Sequence, residues 1–314
     1  MPSTHDSHIG RASRNLHAAC REWEGHVPAA CPRGGAGWAA TMACLLEAAA
    51  PKPGNVHPAA AFPDLSYDDF VAAAQAIGPV FGRAGAAPLG SLILDAVRQS
   101  RRVTRSNANL GMILAIAPLA ALPPAAFATL ADGGSLAPLS RLAAAVLGRL
   151  DAADTAAIWQ AIAEARPGGM GTAEQHDLSG PPPVDILAAM RLAAGHDSIA
   201  ALWTVGYGEI LGELVDDLAD GLAESTAWRQ AMVAAFLRQL ARRPDSLIRR
   251  RHGDATATAV SARAAAVLAA DPASRPAAEA MFDRSLRTPV RLNPGTTADL
   301  VATAVYILVR SHTP

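Results

Sequence analysis

Apolar side chains recur along most of this chain at intervals of three and four, in alanine- and leucine-rich segments closed by glycine or proline. That period gives each segment one apolar stripe when it is helical. The alternating β-branched and aromatic runs that strands would need are scarce. The pattern predicts helices over residues 38–50, 67–82, 88–103, 108–121, 135–149, 152–165, 184–195, 198–224, 227–241, 255–270, 275–286 and 297–310. Two of these carry start signals, because Ser66 with Asp69, and Thr296 with Asp299, place an acid three residues after a hydroxyl cap. The expected fold is all-α, a single multi-helix domain of about 12 helices. No internal period repeats, which argues against a solenoid.

Residues 1–36 mix His, Arg, Gly and Pro without a helical apolar period, so they are expected to form a flexible extension before a domain running from 37 to 314. The Gly- and Pro-rich piece 167–183 reads as a long internal loop. At 314 residues and 51% hydrophobic, the chain can bury a substantial core. Its formal charge of -1 provides no global field for nucleic acid or an anionic membrane, so any phosphate site must be local. Cys20, Cys31 and Cys44 are odd in number and lack C-x-x-C spacing, which suits a reducing, cytoplasmic compartment. The uncharged run from Asn107 to Ala131 is cut by Pro118, Pro123 and Pro124 and reads as buried core rather than a membrane span. Small molecules are the expected partners, with the association state open between monomer and homodimer.

One lysine stands among 27 basic side chains, in the stretch Pro51-Lys52-Pro53-Gly54-Asn55-Val56-His57. The prolines disfavour helix on both sides of Lys52, and Gly54 permits backbone conformations that other residues avoid. A rigid loop after the first predicted helix thus presents an ammonium, an amide and an imidazole, which could hold a polyanion; a helix stop with a solvated lysine explains the spacing equally well. Ser106, Asn107 and Asn109 precede an apolar helix, with Arg101, Arg102 and Arg105 upstream. A helix start there attracts anions, or is an ordinary cap. Arg166-Pro167-Gly168-Gly169-Met170-Gly171 could form a nest of N–H groups. Glu209, Glu213, Asp216, Asp217 and Asp220 share a helix face with no basic residue between them, a candidate for Mg²⁺ or a solvated acidic face. Arg242, Arg243, Arg249, Arg250, Arg251 and His252 surround Asp245, a cluster suited to phosphate or to surface ion pairs.

Taken in order, these stretches together with "NPGTTADLVATAVYI" resemble the triphosphoribosyl-dephospho-CoA synthase family, over about residue 37 to the C-terminus. The resemblance implies an all-helical transferase that moves the 5-triphosphoribosyl group of ATP to an acceptor hydroxyl and releases adenine, with ATP as substrate and Mg²⁺ as cofactor. It implies phosphate contacts from Lys52 and the Arg249, Arg250 and Arg251 run, with Gly54 and Gly111 in the binding loops. Asn55, Asn107 and Asn109 would orient ribose or phosphate oxygens. Glu47 and Asp64 would be base or metal ligand, His57 a further catalytic candidate, and Asp216 and Asp217 metal ligands. Where family members that serve citrate lyase or malonate decarboxylase read Thr-Asn-Thr-His-Lys-Gly, this chain has Ser106-Asn107-Ala108-Asn109-Leu110-Gly111. Asn55 and His57 likewise replace Leu and Asp of Pro-Lys-Pro-Gly-Leu-Val-Asp. Such departures resemble a branch tied to one-carbon metabolism, for which a ribosyl transfer toward a folate-like C1 carrier of the tetrahydromethanopterin type is the alternative. A non-catalytic helical scaffold is the remaining reading.

Overall fold

The computed structural model describes residues 7–104, 108–165, 183–225 and 227–312. Among the described residues there are sixteen α-helices and no strand. They are α1 (His8–Cys20), α2 (Ala36–Ala49), α3 (Tyr67–Phe81), α4 (Leu89–Val103), α5 (Leu110–Ala120), α6 (Ala125–Ala131), α7 (Ala137–Leu147) and α8 (Ala152–Ala165). The second half continues with α9 (Ile186–Ala193), α10 (Ser198–Thr204), α11 (Tyr207–Glu224), α12 (Trp228–Arg242), α13 (Ser246–His252), α14 (Asp254–Ala269), α15 (Arg275–Arg287) and α16 (Gly295–Ser311).

Two helices that are apolar on nearly every side form the centre, as a helix without a polar face must. α16 is buried along almost its whole length and packs on α1, α2, α5, α11 and α12. α2 is buried from Gly37 to Ala49 and packs on α16 and α3. Small residues let α2 and α3 cross backbone to backbone: a Cβ at Gly37 would stand 2.2 Å from the Gly78 carbonyl oxygen, and one at Gly78 would stand 2.3 Å from Thr41 Oγ1. An alanine at either glycine would force the helices apart, at a cost of about 1–3 kcal/mol. Each buried Leu, Ile or Val on these helices contributes about 1.5–3 kcal/mol.

Ser66 and Asp69 form the expected capping box, Ser66 Oγ accepting from Asp69 N at 3.3 Å and Asp69 Oδ2 from Ser66 N at 2.8 Å. The second expected box is corrected. α16 starts at Gly295 with Pro294 as its cap, which has no N–H for an acid to accept from, and Thr297 N donates to Asp245 Oδ2 at 2.7 Å, so the Asp299 carboxyl is left for another task. The expected single helix over 198–224 is broken at Gly206, whose φ of 124 only glycine adopts readily. α13 was hidden in the arginine cluster. Its signal is Asp245, whose Oδ1 accepts from Leu247 N at 2.9 Å and Ile248 N at 3.0 Å.

The expected flexible extension is helical over His8–Cys20. Ile9, Ala12, Leu16, Ala19 and Cys20 form an apolar stripe buried against α11 and α16, and His17 Nε2 lies 2.9 Å from the Val309 carbonyl oxygen. The stripe does have helical spacing, diluted by four intervening His and Arg positions read as disorder (His8, Arg11, Arg14, His17). Among the described residues no single helix is long and apolar enough to cross a membrane. The internal loop 167–183, the Arg166–Gly171 nest and Arg105, Ser106 and Asn107 lie outside the described residues, apart from Pro183.

Candidate active site

A cavity of about 500 Å³ opens between α2, the following loop, α5, α10, α13 and α16, a size typical of small-molecule sites. Its deep part is polar, with buried Glu47, Asn55 and Asn109 and half-buried Asp299. One wall is apolar, including Leu65, Phe70, Met112, Ile162 and Met190. Four guanidiniums, those of Arg101, Arg250, Arg251 and Arg291, also line it.

The Pro51–His57 loop supplies one side. Pro51 and Pro53 end α2, and the chain turns back so that Lys52 is fully buried. Its Nζ lies 2.8 Å from Glu47 Oε1 and also donates to the carbonyl oxygens of Glu47 and Ala50, the latter at 3.1 Å. All three ammonium protons are therefore spent at the C-terminus of α2, where carbonyls lack helical partners. The expected phosphate contact from Lys52 gives way to the pinning of Glu47, whose carboxyl faces the cavity. Burial pushes Glu47 up from the usual carboxylate range, and the Lys52 ammonium opposes that shift.

Gly54 has φ 76, and a Cβ there would press on Leu286 and Pro294 at 2.8 and 2.9 Å. Its N–H donates to Asp283 Oδ1 at 2.8 Å, so Gly54 serves the turn rather than a ligand. Asn55 donates from Nδ2 to Asn293 Oδ1 at 2.7 Å, while its own Oδ1 has no partner although buried. His57 does not line the cavity. Its Nδ1 accepts from Ala59 N at 3.3 Å, and burial followed by the Arg287 charge lowers its pKa.

The start of α5 supplies the opposite side. Asn109 Oδ1 accepts from Ser100 Oγ at 2.7 Å, and Asn109 Nδ2 is buried without a partner. Two buried amides thus leave one acceptor and one donor unused, at 5% and 4% exposure for the two residues. Leaving such atoms unsatisfied costs about 1–3 kcal/mol each, which a bound ligand recovers. Gly111 admits the Asp299 carboxyl: a Cβ there would stand 2.0 Å from Asp299 Oδ2.

The arginine run divides. Arg249 is tied to Asp254 at 2.5 Å and to the Gly195 carbonyl at 3.3 Å, outside the cavity, so it drops from the expected phosphate ligands. Arg250 lines the cavity but pairs with Asp197, whose other oxygen caps α10 through Ile199 N and Ala200 N at 2.9 and 3.1 Å. Arg251 makes no hydrogen bond or ion pair among the described residues. Burial, then the neighbouring Arg291 and Arg250 charges, push it down from its ordinary value. Arg291 stacks over Phe62 at 3.8 Å and pairs with Asp64, which lines the exposed mouth. Like charges crowded on one face favour an anion between them.

Asp216 and Asp217 lie elsewhere, in a surface groove with Glu213 and Asp220. The cations missing from that helix come from α12: Arg242 bonds Asp217, and Arg238 lies 3.6 Å from it. Asp217 is thus neutralised by arginine, which corrects the metal assignment. Among the described residues no group of three or more His, Cys, Asp or Glu side chains is arranged to hold a metal ion.

Sequence reasoning brought Glu47, Asn55, Asp64, Asn109, Gly111 and Arg250 to this one cavity. It missed Asp299, read as a cap, and Arg291 and Asn293. The signal for those was Asn293-Pro294-Gly295, a second rigid turn with polar neighbours like the one at Pro53-Gly54-Asn55.

A family model described as CitG: ATP:dephospho-CoA triphosphoribosyl transferase matches residues 35–312. Among curated proteins none matches the chain. A crystal structure from Archaeoglobus fulgidus, provisionally named a triphosphoribosyl-dephospho-CoA synthase, is similar with a TM-score of 0.59 and 22% identity. The similarity covers 78% of this chain and 99% of that one, and at this identity it speaks to the fold.

Proposed function

The chain belongs to the CitG family of ATP:dephospho-CoA triphosphoribosyl transferases, and from that membership we propose that its cavity binds ATP and passes the triphosphoribosyl group to an acceptor hydroxyl with release of adenine. One observation carries the reading: a single cavity joins an apolar wall for a purine, two unsatisfied amides for ribose hydroxyls, and unpaired guanidinium charge for a triphosphate.

In this reading Arg251, with Arg101 and Arg291, takes the triphosphate. Asn55 Oδ1 accepts from a ribose hydroxyl, and Asn109 Nδ2 donates to a ribose or phosphate oxygen. Glu47, held by Lys52, takes the proton of the acceptor hydroxyl, and its burial moves it toward the working pH at which a carboxylate makes an effective base. Mg²⁺ would be held mainly by the triphosphate oxygens and would neutralise phosphate charge; among the described residues no three or more His, Cys, Asp or Glu side chains are grouped to hold it alone. The three cysteines are free and buried, in keeping with work in a reducing cytoplasm.

The acceptor is 3'-dephospho-CoA in the first reading. A second reading, ribosylation of a folate-like C1 carrier, is favoured by Leu110, which lines the cavity where other members carry a cationic lysine. Incubation with MgATP and either 3'-dephospho-CoA or a pterin acceptor, followed by mass spectrometry, tests both. Free adenine with a heavier CoA species supports the first, adenine formed only with a pterin acceptor supports the second, and ADP or phosphate without adenine rejects ribosyl transfer altogether.

A further inference from the structure

A purine leaves ribose readily only when a proton meets it, so ribosyl transfer needs a proton donor beside the base. Among the described residues the cavity contains no histidine and no lysine. Its carboxyls are those of Glu47, Asp64, Asp197 and Asp299. Glu47 is bound to Lys52, Asp64 to Arg291 and Asp197 to Arg250. Asp299 alone has no hydrogen bond or ion pair to its carboxyl among the described residues. It projects from the first turns of α16 onto Gly111, where the missing side chain leaves room for it, with the unsatisfied Nδ2 of Asn109 in the same cavity.

We propose that Asp299 is the catalytic acid that protonates departing adenine. The assignment rests on the ribosyl-transfer reading. The acceptor oxygen bonds to C1' as the C1'–N9 bond breaks, and that bond's electron pair leaves on the purine, which takes the Asp299 proton at a ring nitrogen. The acceptor's own proton passes to Glu47 and from there back to Asp299, so no net proton is gained or lost. Burial pushes Asp299 well above the usual carboxylate range, and Glu47 on α2, Asp245 before α13 and Asp197 before α10 push it further, against the Arg250 charge. Cys44, also within its electrostatic reach, is a neutral thiol because burial raises it. Paired carboxyls whose surroundings separate their proton affinities are a recurrent acid and base arrangement.

Asp299→Asn keeps the shape and removes the transferable proton. Adenine release is expected to fall about 100-fold or more while ATP affinity, measured by calorimetry, stays within about threefold. Release within about threefold of wild type overturns the assignment, and so does loss of ATP binding by a folded variant. A wild-type measurement removes dependence on the variant's folding: kcat with ATP should decline as pH rises through the Asp299 titration, whereas an ATP analogue methylated at N7, whose purine departs neutral without a proton, should lack that decline. The same decline with both substrates overturns the proposal. If wild type releases no adenine with any acceptor, the ribosyl-transfer reading itself has failed and this assignment falls with it.

Discussion

Lys52 Nζ lies 2.8 Å from Glu47 Oε1, and burial removes both side chains from solvent. Taking two charges out of water is costly, and their attraction with the two added carbonyl bonds offsets that cost only while both partners remain. Lys52→Met should therefore lower stability by about 3–5 kcal/mol, since it leaves Glu47 buried and uncompensated. Adding Glu47→Leu should restore most of the loss. Urea unfolding of the two single variants and the double variant measures the coupling, and additive effects would contradict a buried pair.

Arg251 faces the cavity with no ion pair to break, so its removal should cost the fold little. Arg251→Ala is expected to weaken ATP binding about 10-fold or more, the scale of a lost charge-assisted contact, and to leave adenosine binding unchanged. Calorimetry with both ligands decides it. An equal loss for adenosine would move Arg251 from the phosphates to the base or ribose.

The groove on α11 makes the opposite case. Asp216→Asn with Asp217→Asn removes the partner of Arg242 from an exposed surface, where such pairs contribute about 0–1 kcal/mol. Activity should keep its full Mg²⁺ dependence. A rise in the Mg²⁺ concentration needed for half-maximal rate would restore the metal role to these aspartates.

Asp299 also links stability to pH. Its folded pKa is raised, so the contribution of the group is fully present below the unfolded carboxylate value and is lost as pH rises through the folded one. Asp299→Asn removes the charge and should gain stability over wild type at alkaline pH while differing little at pH near 4. Thermal melts at the two pH values test this. A gain of equal size at both would mean that packing rather than ionisation is responsible.

The fold was legible where composition decides it. α8 shows over 152–165 in the sequence as in the structure, and the Ser66–Asp69 box starts α3 as expected. What failed locally failed where one residue has two uses. Asp299 has the spacing of a capping acid from Thr296, but α16 starts earlier, with Pro294 as its cap, and its first turn is satisfied at Thr297 N by Asp245, a partner 52 positions away that local spacing cannot reveal. Lys52 is rare and held between prolines, which marks it as important without saying toward what; only the fold shows its ammonium turned inward onto Glu47. Asn55, Asn109 and Gly111 stand out in the sequence because turn and cap chemistry is local, and the cavity is lined at turns and caps.

The bond between Asn55 and Asn293 spans 238 positions and joins the two rigid turns of the cavity. A chain emerging from the ribosome therefore carries an unfinished half-site until the second turn and α16, the central helix, have been made. A ligand of the completed cavity can assist folding only after translation has passed Asp299, so it cannot rescue chains that stall earlier. Lesions in α16 should accordingly act as failures of the whole fold rather than of one element.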